Sequence, residues 1–178
     1  MTTPAKIFDG LLVLQYRSGD QKALGLLVKR YHVKLCKHAY WYTQDYDAAK
    51  DIVQDCWSVI IHKIESLRNP NEFGSWAIQI TNRKAIDYLH KNKKKRKEET
   101  AYRVLQQESI PGSDSLAEVE KLKRAIQDLS VGQQLVLDLF YKEEYSLKEI
   151  SSMLDISVGT VKSRLFHARE KLKKSIKK

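Results

Sequence analysis

Residues that break helices or close tight turns are scarce in this chain. Its 178 residues include seven glycines and three prolines. A β-sandwich or barrel needs frequent turns rich in these residues, so their scarcity argues against an all-β fold. Strong helix formers such as Leu, Lys, Ala, Gln and Glu are abundant instead. The composition therefore predicts an all-α protein.

Cysteines and long apolar runs are also scarce. Cys36 and Cys56 are the two cysteines of the chain, too few for a disulfide framework and too far apart for a CxxC site. No apolar run approaches the roughly 18 residues that a membrane span requires. Asp9 and Gly10 interrupt the apolar pattern that a signal peptide would need near the N-terminus. We therefore expect a cytoplasmic protein with no membrane insertion.

Catalytic and metal-binding signatures are missing as well. The motifs GxGxxG, GxxxxGK[ST], HExxH and GxSxG do not occur in the sequence. His32, Cys36 and His38 lie close together in the sequence, but only the first two share a helix face at a spacing of four. Ordinary packing is the favoured interpretation of these three side chains. We expect no enzymatic activity, no cofactor and no metal.

The charge of the chain is strongly unbalanced. Lys and Arg number 32 against 22 Asp and Glu, which gives a formal net charge of +10. A basic excess of this size is typical of proteins that bind nucleic acid or another polyanion. Because many basic proteins bind no polyanion, the charge alone leaves the function open.

Apolar periodicity divides the chain into two helical domains joined by a linker. The first domain, residues 1–97, contains four apolar-periodic segments at residues 11–17, 23–39, 47–65 and 76–93. Asp47 is the predicted N-cap of the third segment. Six acids and one base occur from Glu98 to Glu120, so residues 98–116 are predicted to form a flexible acidic linker. Residues 117–178 are predicted to form a second bundle of about four helices.

The second domain contains the pattern of a helix-turn-helix. Ser146 and Glu149 have the spacing of a capping box at the start of the first helix. Asp155 and Ile156 form the predicted turn, with Ile156 buried to fix it, and Ser157 is placed to cap the second helix. In this arrangement the first helix holds the second, whose N-terminal residues reach base edges in the major groove.

The last helix carries short hydroxyl and basic side chains that suit base and phosphate contacts. From Thr160 to Lys178 there are eight Lys or Arg residues and one acid. A solvated basic helix that closes a bundle is the alternative interpretation. The candidate DNA-binding residues of this helix and its cap are Ser157, Thr160, Lys162, Ser163, Arg164, Phe166, His167 and Arg169.

Four segments together resemble one protein family. GDQKALGLLVKRYHVKLCKHA (19–39), DAAKDIVQDCW (47–57), FGSWAIQITNRKAIDYLHK (73–91) and YSLKEISSMLDISVGTVKSRLFHAREKLKK (145–174) are similar to the extracytoplasmic-function sigma factors of bacterial RNA polymerase. The segments follow the order and spacing of that family and cover most of the chain outside the linker. The resemblance implies two small helical domains that together direct core RNA polymerase to promoter DNA.

The resemblance assigns a polymerase-binding role to the third helix. Asp51, Gln54 and Asp55 match the surface that docks on the coiled-coil clamp of the largest polymerase subunit, and a polar, acidic face suits a basic helical partner. A solvated helix face is the alternative. Lys50 stands where the family usually has an acid, and Cys56 with Trp57 replaces a more usual aliphatic–aromatic pair.

The loop and helix from Asn69 to Lys91 match the part of the family that melts the −10 element and captures an unstacked base. Capture of a base requires aromatic or apolar walls and amide groups, and a single strand requires a basic track. Phe73 is favoured over Trp76 as a base contact, because Trp76 has helical spacing with Ile80 and is expected in the core. The candidate residues are Asn69, Asn71, Phe73, Trp76, Arg83, Lys84, Lys91 and Lys93.

The resemblance also assigns the helix-turn-helix to the −35 element and places the linker near the active cleft of the polymerase. The linker's acidity either mimics nucleic acid in a basic channel or belongs to an inert tether. The family implies an anti-sigma factor as a further partner. Three other functions remain open from the residues: a stand-alone helix-turn-helix regulator, a protein-binding adaptor and, least favoured, an enzyme acting on nucleic acid.

Overall fold

A computed structural model of the chain describes residues 3–96, 122 and 124–176, without the side chains of residues 92–96 and 176. Helices and turns account for all the regular structure in these ranges, and no strand occurs among them. The prediction of an all-α fold is confirmed. The chain divides into two compact units, the first mainly of residues up to His90 and the second mainly of residues from Lys91 onwards. The predicted linker, residues 98–116, lies outside the described residues.

The N-terminal unit is built from four long helices with two short 3-10 turns before the last. They are α1 (Pro4–Arg17), α2 (Gln21–Thr43), α3 (Tyr46–Lys63), the turns Ile64–Ser66 and Pro70–Glu72, and α4 (Phe73–Arg96). The first of these helices begins well before the predicted residue 11, because Pro4 occupies its first turn, where a missing N–H costs nothing. The last begins at Phe73 rather than Trp76.

The N-cap of α3 corrects one prediction. The Asp45 side chain, and not that of Asp47, accepts the backbone N–H groups of Asp47 at 2.9 Å and Ala48 at 3.2 Å. Asp47 lies in the first helical turn, where its side chain pairs with Lys50 at 3.4 Å. The sequence offers two aspartates two residues apart, and only Asp45 has the extended backbone that a cap requires.

The core of this unit consists of apolar side chains contributed by all four helices. Asp9 is also buried there, with 2% of its surface exposed. Its carboxylate accepts hydrogen bonds from Arg30 Nε at 2.7 Å and from the Tyr31 hydroxyl at 2.5 Å. These contacts compensate the burial of a charge and fix α1 against α2. Fully buried apolar members of the core are Val13, Leu27, Leu35, Val53, Ile60, Ile64 and Phe73.

The C-terminal unit contains α5 (Val131–Leu137), which continues into a π-helical turn (Asp138–Lys142), followed by α6 (Leu147–Leu154) and α7 (Val158–Ile176). Residues 124–127 form a helical turn that precedes α5. The amide of Gln134, a residue of α5, donates to the carbonyls of Ile126 at 2.7 Å and Leu129 at 3.1 Å. These bonds satisfy carbonyl groups at the end of the helical turn. The buried residues Leu135, Ile150 and Leu165 lie on the three helices of this unit.

In the ranges that the structure describes, every helix is too short or too polar to cross a lipid bilayer.

Candidate nucleic-acid interface

The first helix of the helix-turn-helix, α6, begins with the predicted capping box. The backbone N–H of Ser146 donates to Glu149 Oε2 at 2.9 Å, and the N–H of Glu149 donates to Ser146 Oγ at 3.3 Å. Asp155 follows the helix in the left-handed region, with φ of 55°. Ile156 is half-buried rather than buried, so it is not the main anchor of the turn. The Ser151 hydroxyl fixes the turn instead by donating to the Ile156 carbonyl at 2.5 Å.

The second helix, α7, begins with the predicted cap. The Thr160 N–H donates to Ser157 Oγ at 3.0 Å, which confirms Ser157 as the capping residue. The hydroxyl groups of Ser157 and Thr160 are themselves 2.9 Å apart. The backbone N–H and the hydroxyl of Thr160, in the first turn of α7, therefore both have a hydrogen-bond partner within the protein.

Two opposite faces of α7 have the predicted character. Val161, Leu165 and Ala168 are buried against the rest of the unit. The outward face carries a cation, a hydroxyl and two rings, and the Phe166 ring is 59% exposed. The exposed candidate residues on this face are Lys162, Ser163, Phe166 and His167.

Arg164 and Arg169 differ from the other candidates because their guanidinium groups make contacts within the unit. Arg164 is half-buried against α5, so close that a Cβ atom added to Gly132 would lie 3.0 Å from its Cζ. The Cζ of Arg169 lies 5.3 Å from the ring centroid of Tyr141 and 5.8 Å from that of Phe140, within the range of a cation–π interaction. Arg164 is therefore oriented by packing, and the exposed Arg169 by its contacts with the two rings.

The candidate polymerase surface lies on the outer side of α3. Asp51, Gln54 and Asp55 are all exposed there. Lys84 of α4, a candidate DNA contact, forms an ion pair with Asp55. The predicted polymerase surface on α3 and the predicted DNA surface on α4 are therefore adjacent at this ion pair.

The loop before α4 is held together by its asparagines. Asn69 Oδ1 accepts the backbone N–H of Asn71 at 3.2 Å, and Asn69 Nδ2 donates to Glu72 Oε1 at 3.0 Å. Asn69 is exposed and Asn71 is half-buried. The first asparagine therefore caps the 3-10 turn in which the second lies.

Phe73 was predicted ahead of Trp76 as a base contact, and the structure reverses this order. The Phe73 side chain has 0% of its surface exposed, and its ring lies 5.2 Å from that of Tyr31 and 6.5 Å from that of Trp57. A ring enclosed in this way has no face available to a base. Trp76 is half-buried, with its ring 6.2 Å from Phe73 on the outer side of the aromatic cluster. The first turn of α4 points Phe73 inward, which the spacing of Trp76 and Ile80 did not reveal.

The basic candidates of α4 follow its helical period. Trp76, Arg83 and Lys91 are spaced by seven and eight residues, which places them on one side of the helix. Arg83 and Lys91 are exposed, and Lys84 is half-buried next to them. The side chain of Lys93 lies outside the described part of the chain.

Buried polar groups between α2 and α4 were not predicted from the sequence. The Tyr42 hydroxyl donates to Asn82 Oδ1, and the His38 ring lies 5.8 Å from that of Tyr42. Burial lowers the pKa of His38 to about 4, and the neighbouring side chain of Asn82 opposes this shift only in part. Among the described residues, His38 Nε2 has no hydrogen-bond partner. Helical spacing placed His38 on a different face from His32 and Cys36 but gave no sign of its contacts with α4.

The His32 and Cys36 pair makes a local contact. His32 Nε2 lies 3.6 Å from Cys36 Sγ, and burial raises the pKa of the Cys36 thiol. Within the ranges that the structure covers, no three His, Cys, Asp or Glu side chains come together as a metal site would require.

Both units match models of known families. Residues 27–95 match Sigma-70 region 2, and residues 119–172 match Sigma-70, region 4. The ECF RNA polymerase sigma-E factor of Escherichia coli (strain K12) is 29% identical over an alignment 178 positions long, and the alignment covers 93% of this chain and 92% of that protein. The RNA polymerase sigma factor SigV of Bacillus subtilis (strain 168) is 31% identical over 134 residues, which cover 73% of this chain and 76% of that protein.

Two solved structures have a similar fold. The sigma factor RpoE of Bartonella quintana, in complex with the anti-sigma factor NepR, gives a TM-score of 0.69 at 20% identity and covers 88% of this chain and 98% of that chain. CnrH, in complex with the cytosolic domain of CnrY, gives a TM-score of 0.64 at 25% identity and covers 93% of this chain and 95% of that chain.

Two helical units, the second with a helix-turn-helix whose helix α7 is basic, are typical of a DNA-binding protein that acts in transcription. The matches of both units then identify the family: the chain belongs to the sigma-70 family of RNA polymerase sigma factors, in its extracytoplasmic-function group. Its function is to direct core RNA polymerase to promoters at transcription initiation. The stand-alone regulator is not favoured, and sigma factors are generally non-enzymatic regulatory proteins.

Proposed function

We propose that α7 reads the −35 element in duplex DNA through its exposed face. The observation that carries this proposal is the second helix of the helix-turn-helix, capped by Ser157, with Lys162, Ser163 and Phe166 exposed along one side. A lysine suits a phosphate, a hydroxyl suits several bases, and an apolar ring suits the methyl group of thymine. Arg164 and Arg169, whose guanidinium groups make contacts within the unit, are proposed to bind phosphate or guanine.

The loop before α4 and the outer side of α4 are proposed to hold the melted −10 strand. Asn69 and Asn71 supply amides, and Trp76 replaces Phe73 as the aromatic contact because only its ring is partly exposed. Arg83, Lys84, Lys91 and Lys93 supply a basic track for the phosphates of the single strand.

The exposed face of α3 is proposed to dock on core RNA polymerase through Asp51, Gln54 and Asp55. All three side chains are solvent-accessible, and two of them are acidic in a chain whose net charge is +10. An acidic face on a basic protein favours a basic partner at that face. Lys50 forms an ion pair with Asp47, one turn earlier in the helix. Its charge is therefore offset by Asp47, and the face of Asp51, Gln54 and Asp55 stays acidic.

We propose that the chain has two functional domains joined by a linker. Residues 1–97 form the domain for polymerase and the −10 element, residues 98–116 the linker, and residues 117–178 the −35 domain. Within the complex, the polymerase carries the chemistry and this chain catalyses no reaction. We also propose a cytoplasmic location and control by an anti-sigma factor, because one similar structure is a sigma factor bound to such a partner.

In vitro transcription with core RNA polymerase, this protein and a library of genomic fragments tests the proposal. Promoter-specific transcripts should appear only when the protein is present, and their upstream sequences should share two elements. The free protein should bind the same fragments weakly, because two tethered weak contacts need the polymerase to act together. Tight sequence-specific binding by the free protein, without transcripts, would favour the stand-alone regulator.

A further inference from the structure

Helix α1 closely approaches the loop before α4 at Gly10. Gly10 is buried, and a Cβ atom added to it would lie 2.1 Å from Asn71 Oδ1 and 3.1 Å from the backbone nitrogen of Asn71. A contact of 2.1 Å cannot exist, so any larger residue must displace the side chain of Asn71. The absence of a side chain at Gly10 therefore determines where the Asn71 amide lies.

The other end of the same loop is also held by α1. Arg17 Nε donates to the Ile64 carbonyl at 3.1 Å, and Arg17 Nη2 donates to the Leu67 carbonyl at 2.6 Å. The Ile64 carbonyl, in the 3-10 turn after α3, also accepts the Leu67 N–H at 3.3 Å, and the Leu67 carbonyl lies just beyond that turn. Carbonyls at the end of a helix need donors from elsewhere. The planar guanidinium serves both acceptors at once, which a lysine ammonium does poorly.

Gly10 and Arg17 are seven residues apart, which puts them on the same side of α1, two turns from each other. The loop between their contacts has its own internal hydrogen bonds: Asn69 accepts one from the Asn71 N–H and donates one to the Glu72 carboxylate. A loop that is internally ordered and fixed at both ends has a position set by the helix behind it. Neither α1 residue belongs to the exposed surface that meets DNA in the proposed function.

We propose that Gly10 and Arg17 are positioning residues for capture of the −10 element, acting by setting where the Asn71 amide meets an unstacked base. The inference rests on the proposed function of the Asn69–Asn71 loop. It adds that base preference at the position read by Asn71 depends on a glycine and an arginine that contact no DNA.

The test uses holoenzyme reconstituted from core polymerase and full-length variants. Gly10→Ala is compared with Gly25→Ala, a matched control, since a Cβ atom at Gly25 meets nothing within 4 Å. Base preference is read from a promoter library randomised separately in the −10 and −35 elements, and melting from permanganate reactivity. Gly10→Ala should lower open-complex formation by about fivefold, the effect of one lost hydrogen bond, and change preference at one −10 position. Preference in the −35 element and affinity for core polymerase should not change.

Arg17→Lys provides a second variant that keeps the charge, and it should change preference at the same −10 position as Gly10→Ala. If Gly10→Ala does not fold, as judged by circular dichroism, Arg17→Lys carries the test. In an Asn71→Ala background, Gly10→Ala should have little further effect on base preference, because the group it displaces is gone.

The outcomes separate this inference from the function on which it rests. If Asn71→Ala changes −10 preference while Gly10→Ala and Arg17→Lys do not, the positioning role is wrong and the function of the loop stands. If Asn71→Ala also leaves −10 preference unchanged in a protein that directs transcription, the proposed role of the loop is wrong and the inference fails with it.

Discussion

Lys84 Nζ lies 3.3 Å from Asp55 Oδ2, so a lysine of the proposed DNA surface is paired with a carboxylate of the proposed polymerase surface. The Asp55 side chain is 71% exposed and that of Lys84 is 34% exposed. Exposed ion pairs of this kind contribute little to stability, and each partner remains accessible to another ligand. Substitutions at the two positions should therefore separate the two functions without unfolding the protein.

Asp55→Asn should weaken binding to core polymerase, whereas Lys84→Gln should weaken binding of holoenzyme to a single-stranded −10 oligonucleotide. Each should change the free energy of unfolding by less than about 1 kcal/mol. Fluorescence anisotropy measures both affinities, and urea unfolding measures stability. Asp87→Asn, which removes an exposed carboxylate from α4, is the control for core binding. Equal losses of both affinities in both variants would contradict the assignment of two surfaces.

Lys162→Ala should weaken promoter binding on all sequences and reduce the dependence of log affinity on log salt by about one unit. The reason is that one phosphate contact releases about one counterion. Lys171→Ala is the matched control. Lys171 is also exposed, but it lies nine residues after Lys162 and therefore on the opposite side of α7. An equal effect of both substitutions would mean that α7 acts through its total charge alone.

Ser163→Ala should instead change base preference at particular −35 positions while leaving the salt dependence unchanged. A hydroxyl that hydrogen-bonds a base edge discriminates among bases but releases no counterion. Binding to a library randomised in the −35 element, measured at two salt concentrations, checks both statements. A uniform loss of affinity across the library would argue against base contact by this residue.

Asp45→Ala should lower the free energy of unfolding by about 1 kcal/mol, because it leaves the N–H groups of Asp47 and Ala48 without their acceptor. Asp47→Ala removes the same charge within the first turn of the helix and leaves the cap in place, so its effect should be smaller. Urea unfolding of the two variants is the measurement. A larger loss for Asp47→Ala would restore the cap predicted from the sequence.

Acid should destabilise the N-terminal unit through His38. Its pKa is about 4 in the folded protein, against 6.5 for the unperturbed residue. Between these pH values the unfolded chain binds a proton that the folded chain does not, so stability falls as the pH decreases. The loss should reach about 3 kcal/mol near pH 4. Urea unfolding from pH 7 to pH 4 should show a shallower decrease for His38→Gln; an identical decrease in both proteins would exclude His38 as the cause.

Patterns local in sequence predicted the fold well. The capping box of Ser146 and Glu149, the cap at Ser157 and the apolar side of α7 depend on residues three or four apart, and the structure confirms each of them. Asp47 was predicted as a cap in place of Asp45, because the two aspartates have equal capping chemistry and the choice depends on backbone angles.

Contacts between distant residues escaped prediction. Phe73 was favoured as a base contact because Trp76 has helical spacing with Ile80. The structure buries Phe73 against Tyr31 and Trp57, which are far away in the sequence. Gly10 contacts Asn71, 61 residues later in the sequence, and Arg17 contacts Ile64, 47 residues later. No periodicity within α1 carries information about those partners.

The position of Arg169 over the rings of Phe140 and Tyr141 has a consequence for how tightly an anion is held. A free arginine side chain loses much rotational freedom when it binds a phosphate, and that loss weakens binding. In this protein the rings restrict the guanidinium as the unit folds, before any DNA is present. A phosphate that reaches Arg169 therefore meets a preorganised cation, and more of the interaction energy is retained as affinity.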